Sequence, residues 1–215
     1  MKIKMDRHAI QRGFTLVEML VVVVVIGVIL AIAVPIINNM VGSQAAATTT
    51  HAVGQNIAKS VSIAQQVLRV PVSNVGNALP STSALGQVKL LDLIIKGDDG
   101  FPTSATTSQR NAYARSGLRP IGDAIEIRDG KYWIDGVELK QLTNCGPDEN
   151  PCTSSGLGTK LGVELANVPT ELVIALFKDR VGNDFPGGEL KKGPVRFSAV
   201  AGDQTHASVT LIYDL

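Results

Sequence analysis

The pattern of apolar and polar positions changes twice along the chain. From Phe14 to Ile37 it is aliphatic almost without interruption, broken by Thr15, Glu18, Gly27 and Pro35. About 20 apolar residues carry a helix across a bilayer, so this stretch predicts a membrane-spanning helix. The valines at 21 to 25 lose side-chain freedom in an aqueous helix, but in lipid every backbone group must be bonded within the segment, and helix wins. Beyond it, residues 38–70 are rich in Ala, Thr and Gly, with no charge before Lys59. Ile57, Val61, Ala64 and Leu68 recur at spacings of four, three and four. That spacing lays an apolar stripe along a continuing helix for a sheet to cover, and Pro71 stops it. Unbroken from Phe14 to Arg69, such a helix measures about 84 Å at 1.5 Å per residue.

After Pro71 the pattern shortens. "PVSNVGNALPSTSALG" is a Gly/Pro/Ser-rich connection, and "QVKLLDLIIKG" predicts a short helix stopped by Gly97. "AIEIRDGKYWID" alternates apolar and polar positions around Asp129-Gly130, a hairpin pattern, and Val137 to Leu142 add a strand. "NVPTELVIALFKDRVG" predicts a further helix with Asn167 as its cap, Pro169 in its first turn and Gly182 after its end. "GPVRFSAVAG" and "HASVTLIYDL" predict a terminal strand pair joined near Gly202 to Thr205. There is no internal repeat and no heptad array. A long helix with mostly hairpin-connected strands gives an α+β fold, an antiparallel sheet covering one helix face.

Composition places these elements. In 215 residues, 45% hydrophobic content with only 4% aromatic suits one modest domain plus an unusually aliphatic segment. The basic residues Lys2, Lys4, Arg7 and Arg12 stand against Asp6 before the apolar run, and none follows within twenty residues after it. The positive-inside rule therefore keeps the N-terminus cytoplasmic and exports the rest. Downstream, acidic side chains slightly outnumber basic ones, so no basic stripe argues for a nucleic-acid site. Glu18 is the only formal charge between Arg12 and Lys59. An ionisable group at the centre of a span costs roughly 2.5 to 3.5 kcal/mol, which makes Glu18 a functional candidate; its alternative is a place at the headgroup boundary. A secretory signal puts its small-residue cleavage site after the apolar region, whereas Gly13 comes before it.

A basic leader ending in Gly13, then Phe14, Thr15, Leu16, Val17 and Glu18, then an aliphatic run containing Gly27 and Pro35, resembles the prepilin N-terminus. That N-terminus is shared by type IV pilins and by the pseudopilins of type II secretion and competence systems. The resemblance implies that a prepilin peptidase cuts between Gly13 and Phe14 and methylates the new amino group of Phe14. It implies that Glu18 meets the charged amine of Phe14 on a neighbouring subunit during assembly, two charges that each cost much in lipid neutralising one another. Pro35 cannot donate to the i−4 carbonyl and Gly27 is conformationally free, so both are candidate points of bending or unwinding in a filament.

The resemblance also implies an organisation: residues 1–13 a cleaved leader, 14–37 the transmembrane and filament-core helix, 38–70 its amphipathic continuation, and 71–215 a globular α+β head of pilin-like fold. The protein is then expected in the bacterial inner membrane as a single-pass precursor and in a surface pilus filament after assembly, with no cofactor. Its implied partners are other copies of itself or related pilins, the peptidase/methyltransferase, the inner-membrane assembly machinery and, before assembly, membrane lipid. The long head with a helix between strand regions resembles type IVb pilins, while Phe14 and the short leader resemble type IVa. Two other readings stand beside the pilus subunit: a pseudopilin, and a membrane-anchored exported enzyme or binding domain.

Candidate chemistry in the head is sparse. Cys145 and Cys152 enclose six residues, and an exported domain favours a disulfide between them. Zinc would need two further ligands, and His8, His51 and His206 are scattered without ligand spacing. "GLGTKLG" at 156–162 has too long a second gap for a dinucleotide fingerprint and reads as a turn; neither a phosphate loop nor a G-x-S-x-G elbow occurs. Asp98 with Asp99, and Asp179 with Asp184, could ligate calcium but lack a loop spacing for it, and read as solvated loop carboxylates. His51 reads as a polar-face residue of the long helix.

Overall fold

The computed structural model describes residues 15–69, 78–79, 82–145, 152–153, 159–182 and 184–215, with the backbone path alone for 32–41 and 153. Gly13, Phe14, Pro71 and residues 72–77 and 80–81 of the connection that follows it lie outside the described residues. The chain divides into two compact units, Met1–Val41 and Gly42–Leu215.

Helix α1 (Leu16–Leu68) begins in the first unit and ends in the second. Its helical path is uninterrupted at Gly27 and at Pro35. In the first unit, every large apolar side chain described from Leu16 to Leu30 is about half exposed or more. Among the described residues no helix is long and apolar enough to cross a membrane. The described side chains of the apolar run end at residue 31, short of the roughly 20 residues a span needs.

In the second unit, α1 supplies Ala47, Val53, Ile57, Ala58, Val61 and Ala64 to the core. The predicted stripe is therefore present: Ile57, Val61 and Ala64 are fully buried and Leu68 packs at the margin. It extends nearly three turns further back than the spacing indicated, because Ala47, Thr50, Val53 and Gly54 are small enough for a close approach. The sheet it covers has seven strands, all antiparallel: β1 (Glu126–Arg128), β2 (Lys131–Ile134), β3 (Val137–Cys145), β4 (Cys152–Thr153), β5 (Lys160–Pro169), β6 (Val195–Phe197) and β7 (Thr205–Asp214). Their order is β1-β2-β3-β5-β7-β6, with β4 paired to β3.

Two Asp-Gly turns set the first hairpins. Asp129 (φ 51°) and Gly130 (φ 73°) join β1 to β2, as expected, and Asp135 (φ 48°) and Gly136 (φ 82°) join β2 to β3. Positive φ at both central residues is the type I′ geometry whose twist matches the flanking strands. A bulge between Leu139 and Gln141 then resets the alternation, so that Leu139 and Leu142 both reach the core while Lys140 is exposed. Across the core face, Leu142 lies opposite Val163, which lies opposite Leu211; Leu161 lies between Asn144 and Tyr213.

Helix α2 (Leu90–Lys96) buries five of its seven residues and ends at Gly97 in the positive-φ region. Helix α3 (Thr107–Ser116) was not indicated by any apolar period, since only Tyr113 and Ser116 are buried; a capping box between Thr106 and Gln109 starts it. Helix α4 (Thr170–Val181) is present and Gly182, at φ 72°, closes it with its N–H on the Lys178 carbonyl. Two expectations fail here. Asn167 does not cap α4: it sits inside β5 at φ 53°, and Pro169 is the N-cap, without a side-chain bond, rather than a first-turn residue. Lys160 to Gly162, expected in a turn, instead open β5, whose ladder with β3 and β7 overrides the bending that Gly162 locally favours.

Candidate functional site

The first candidate site is the start of α1. Thr15 Oγ1 accepts a hydrogen bond from the Glu18 amide at 3.2 Å, while the Thr15 amide and hydroxyl donate to Glu18 Oε2 at 2.8 and 2.9 Å. This is a reciprocal capping box, which satisfies helix amides that have no partner within the helix. The T-x-x-E spacing before an apolar run carries that signal in sequence, although the charge of Glu18 alone drew attention to the position. All these bonds use Thr15 and Glu18 only, so a cut between Gly13 and Phe14 leaves them intact. Both Thr15 bonds fall on Oε2, and a carboxylate offers acceptor positions on each oxygen. Among the described residues, neither of these bonds uses Oε1.

Around this cap the surface is apolar. Leu16 is 82% exposed and Val17 68%, and the exposure continues along the helix through Leu30. Contiguous apolar surface of this extent marks a site of contact with lipid or protein. Gly27 lies within it, and a Cβ built there meets nothing within 4 Å.

The second site, within Gly42–Leu215, fixes α1 to the end of β7. A Cβ at Gly54 would fall closer to the Tyr213 hydroxyl oxygen than atoms can pack, so any side chain there would force the phenol or the helix to move. Tyr213 donates its hydroxyl hydrogen to the His51 carbonyl at 3.3 Å, and the Arg180 guanidinium lies 4.3 Å above its ring while donating to the Ile212 carbonyl. Burial pushes the Tyr213 hydroxyl pKa up to about 12, so the group stays a neutral donor. His51 Nδ1 lies 2.8 Å from Asp179 Oδ2 and its Nε2 3.1 Å from Gln55 Nε2. His51 is thus a bridge from α1 to α4 rather than a residue of a purely polar face.

Two of the four carboxylates that could ligate calcium have other partners: Asp179 faces His51, and Asp98 accepts from Arg110 Nη1 at 2.6 Å. Among the described residues no group of three or more His, Cys, Asp or Glu side chains is placed to hold a metal ion. Cys145 and Cys152 form a disulfide, pairing opposite each other between β3 and β4. Among the described residues the head carries open depressions, one bordered by His51, Lys59, Arg180 and Tyr213 and another by Cys152, Arg196 and Ser208.

Residues 9–34 match the prokaryotic N-terminal methylation motif. No curated protein and no solved structure matches the chain. The match spans the Gly13–Phe14 junction, Thr15, Glu18 and Gly27, and stops one residue before Pro35. Set on the α+β arrangement of one long helix and an antiparallel sheet, it gives the chain a type IV pilin/prepilin-like N-terminus on a pilin-like fold.

Proposed function

We propose that this protein is the structural subunit of a type IV pilus, made as an inner-membrane precursor and assembled through its N-terminal helix into a surface filament. The observation that carries the reading is the methylation motif over residues 9–34, continuous with an exposed apolar helix. A prepilin peptidase removes residues 1–13 and methylates Phe14. The helix then rests in the membrane with its N-terminus cytoplasmic, and the assembly machinery transfers it into the filament among other copies.

In this reading Glu18 has two tasks. Through Oε2 it caps its own helix with Thr15, and through Oε1 it receives the methylated amine of a neighbouring Phe14. The cap holds the carboxylate in one rotamer before its partner arrives, which lowers the ordering cost of the pairing. Gly27 and Pro35 are the positions at which the helix bends or unwinds as the filament forms.

The test is mass spectrometry of sheared surface filaments. Abundant subunit beginning at methylated Phe14 is the expected result. Intact pili lacking this subunit, together with blocked export of folded proteins when it is deleted, would assign it to a secretion pseudopilus instead.

A further inference from the structure

The two sulfurs of the disulfide occupy unlike places. Cys145 lies at the end of β3 and is fully buried, whereas Cys152 on β4 is half-buried and borders a depression of about 240 Å³. Beside Cys152 stands Arg196 of β6, only 8% exposed, whose Nη1 donates to Cys152 Sγ at 3.0 Å. A disulfide sulfur is a weak acceptor, so a guanidinium gains little there while the bridge is closed. With the bridge open, the same geometry puts a permanent cation against a sulfur able to ionise, and an adjacent Arg favours thiolate over thiol.

Among the described residues, further charges near Cys152 are paired with one another. Glu189 and Lys191, at the rim of the depression, pair at 3.3 Å. Glu164, in the same cross-strand row as Arg196 and Thr210, is held by Lys140 at 2.8 Å. Lys160 and Asp214, in the row that contains Cys145, lie 3.8 Å apart.

We propose that Cys152 is the first-reacting sulfur of this head, held as a thiolate by Arg196 and open to attack a disulfide-bearing oxidant, with Cys145 as the resolving thiol. In the first step the Cys152 thiolate attacks one sulfur of the oxidant's disulfide; the oxidant's other sulfur leaves as a thiolate and a mixed disulfide forms at Cys152. Cys145 then gives its proton to water and attacks Cys152 Sγ, releasing the oxidant's second thiolate. Two cysteine thiols are oxidised to one disulfide and the oxidant's disulfide is reduced to two thiols. The buried sulfur closes the bridge and the accessible sulfur receives the oxidant, an order that matches their exposures. The inference stands independently of the filament reading, because it concerns the head alone.

The test uses the full chain in detergent, reduced, and treated either with limiting iodoacetamide or with oxidised glutathione, followed by peptide mapping. Cys152 is expected to be labelled before Cys145, and glutathione to be trapped on Cys152. Burial of Cys145 alone would give that order, so the deciding readout is the pH dependence of Cys152 alkylation. Arg196→Met is expected to raise its midpoint by about one pH unit and slow the reaction at pH 7 at least about threefold, the gain in thiolate being partly offset by lower nucleophilicity. Arg196→Lys should restore most of the rate. Labelling of Cys145 first, or an unmoved midpoint in Arg196→Met, overturns the proposal. So does a midpoint at or above the ordinary thiol value of about 8.5 in the unaltered chain, which needs no variant to fold.

Discussion

Gly54→Ala sets two well-characterised effects against each other. In an exposed helix, Ala is better than Gly by about 1 kcal/mol, because glycine loses more backbone freedom. At Gly54, however, the added Cβ would meet Tyr213 Oη most closely, with Cζ at 2.6 Å and Cε2 at 2.8 Å. The phenol is the far end of a side chain, but it is not free to swing: it is 6% exposed, stacked under Arg180 and bonded to the His51 carbonyl. Relief therefore means moving α1 away from β7 or breaking the bond, with an overpacking cost of about 1 to 3 kcal/mol and about 1 kcal/mol for the hydrogen bond. Net destabilisation of about 1 to 3 kcal/mol is expected after the propensity gain.

The assay is urea unfolding of a fragment beginning at Gly42, with the disulfide intact, followed by the fluorescence of Trp133. Tyr213→Phe removes the nearest atom but leaves two ring carbons closer than van der Waals contact, so the double variant should recover only part of the loss. The coupling between the two sites should be at least about 0.5 kcal/mol, as for residues in contact. A Gly54→Ala protein as stable as the parent, or more so, would refute the close approach of α1 to β7 and leave helix propensity as the ruling effect.

Three further outcomes are expected. His206 is fully buried, desolvation lowers its pKa, and among the described residues neither ring nitrogen has a hydrogen-bond partner; the unfolded chain therefore takes up its proton first as pH falls below about 6.5, and stability should drop by up to about 1.4 kcal/mol per pH unit there, a slope that His206→Phe removes when unfolding is compared at pH 7 and pH 5.5. N-terminal sequencing and intact mass of the membrane form should give a chain starting at methylated Phe14, and a mature chain retaining Met1 would end the prepilin assignment. Glu18→Val should leave processing and membrane insertion intact while sharply reducing sheared filament, since the amine of the neighbouring Phe14 would be left without its partner in the filament; filament at the parental level would place the carboxylate at the headgroup boundary instead.

What could be read in the sequence had a local cause. The Asp129-Gly130 hairpin, the stop at Gly97, the close at Gly182 and the Ile57 stripe each follow from the geometry of a few adjacent residues. What was missed had a distant cause or a weak one. Strand β5 pairs along its whole length with β3 and β7, and that ladder outweighs local turn signals between Lys160 and Gly162. Asn167 takes a positive φ as part of the strand, a conformation its short amide side chain tolerates, so its resemblance to a helix cap was misleading. Helix α3 has too few buried positions for an apolar period, and only its Thr106–Gln109 box announced it. The contact of His51 with Asp179 joins residues 128 positions apart, and no pattern along the chain contains it.

The glycines of α1 make the same point about function. Each costs about 1 kcal/mol relative to alanine in a helix, so each calls for a compensating reason. For Gly54 the reason is inside the chain: the Tyr213 ring occupies the space that a Cβ would need. For Gly27 nothing described in the chain comes within 4 Å of that position, and the apolar side chains around it are exposed. In the filament proposed above, a close neighbour or a conformational change of the helix would supply that compensation. A glycine without an internal contact, inside the segment that matches the methylation motif, is what an N-terminal helix built for contact with other molecules would contain. The same criterion separates the two ends of α1. Near Tyr213 the residues fit this chain's own sheet, and from Leu16 to Leu30 the apolar side chains are exposed.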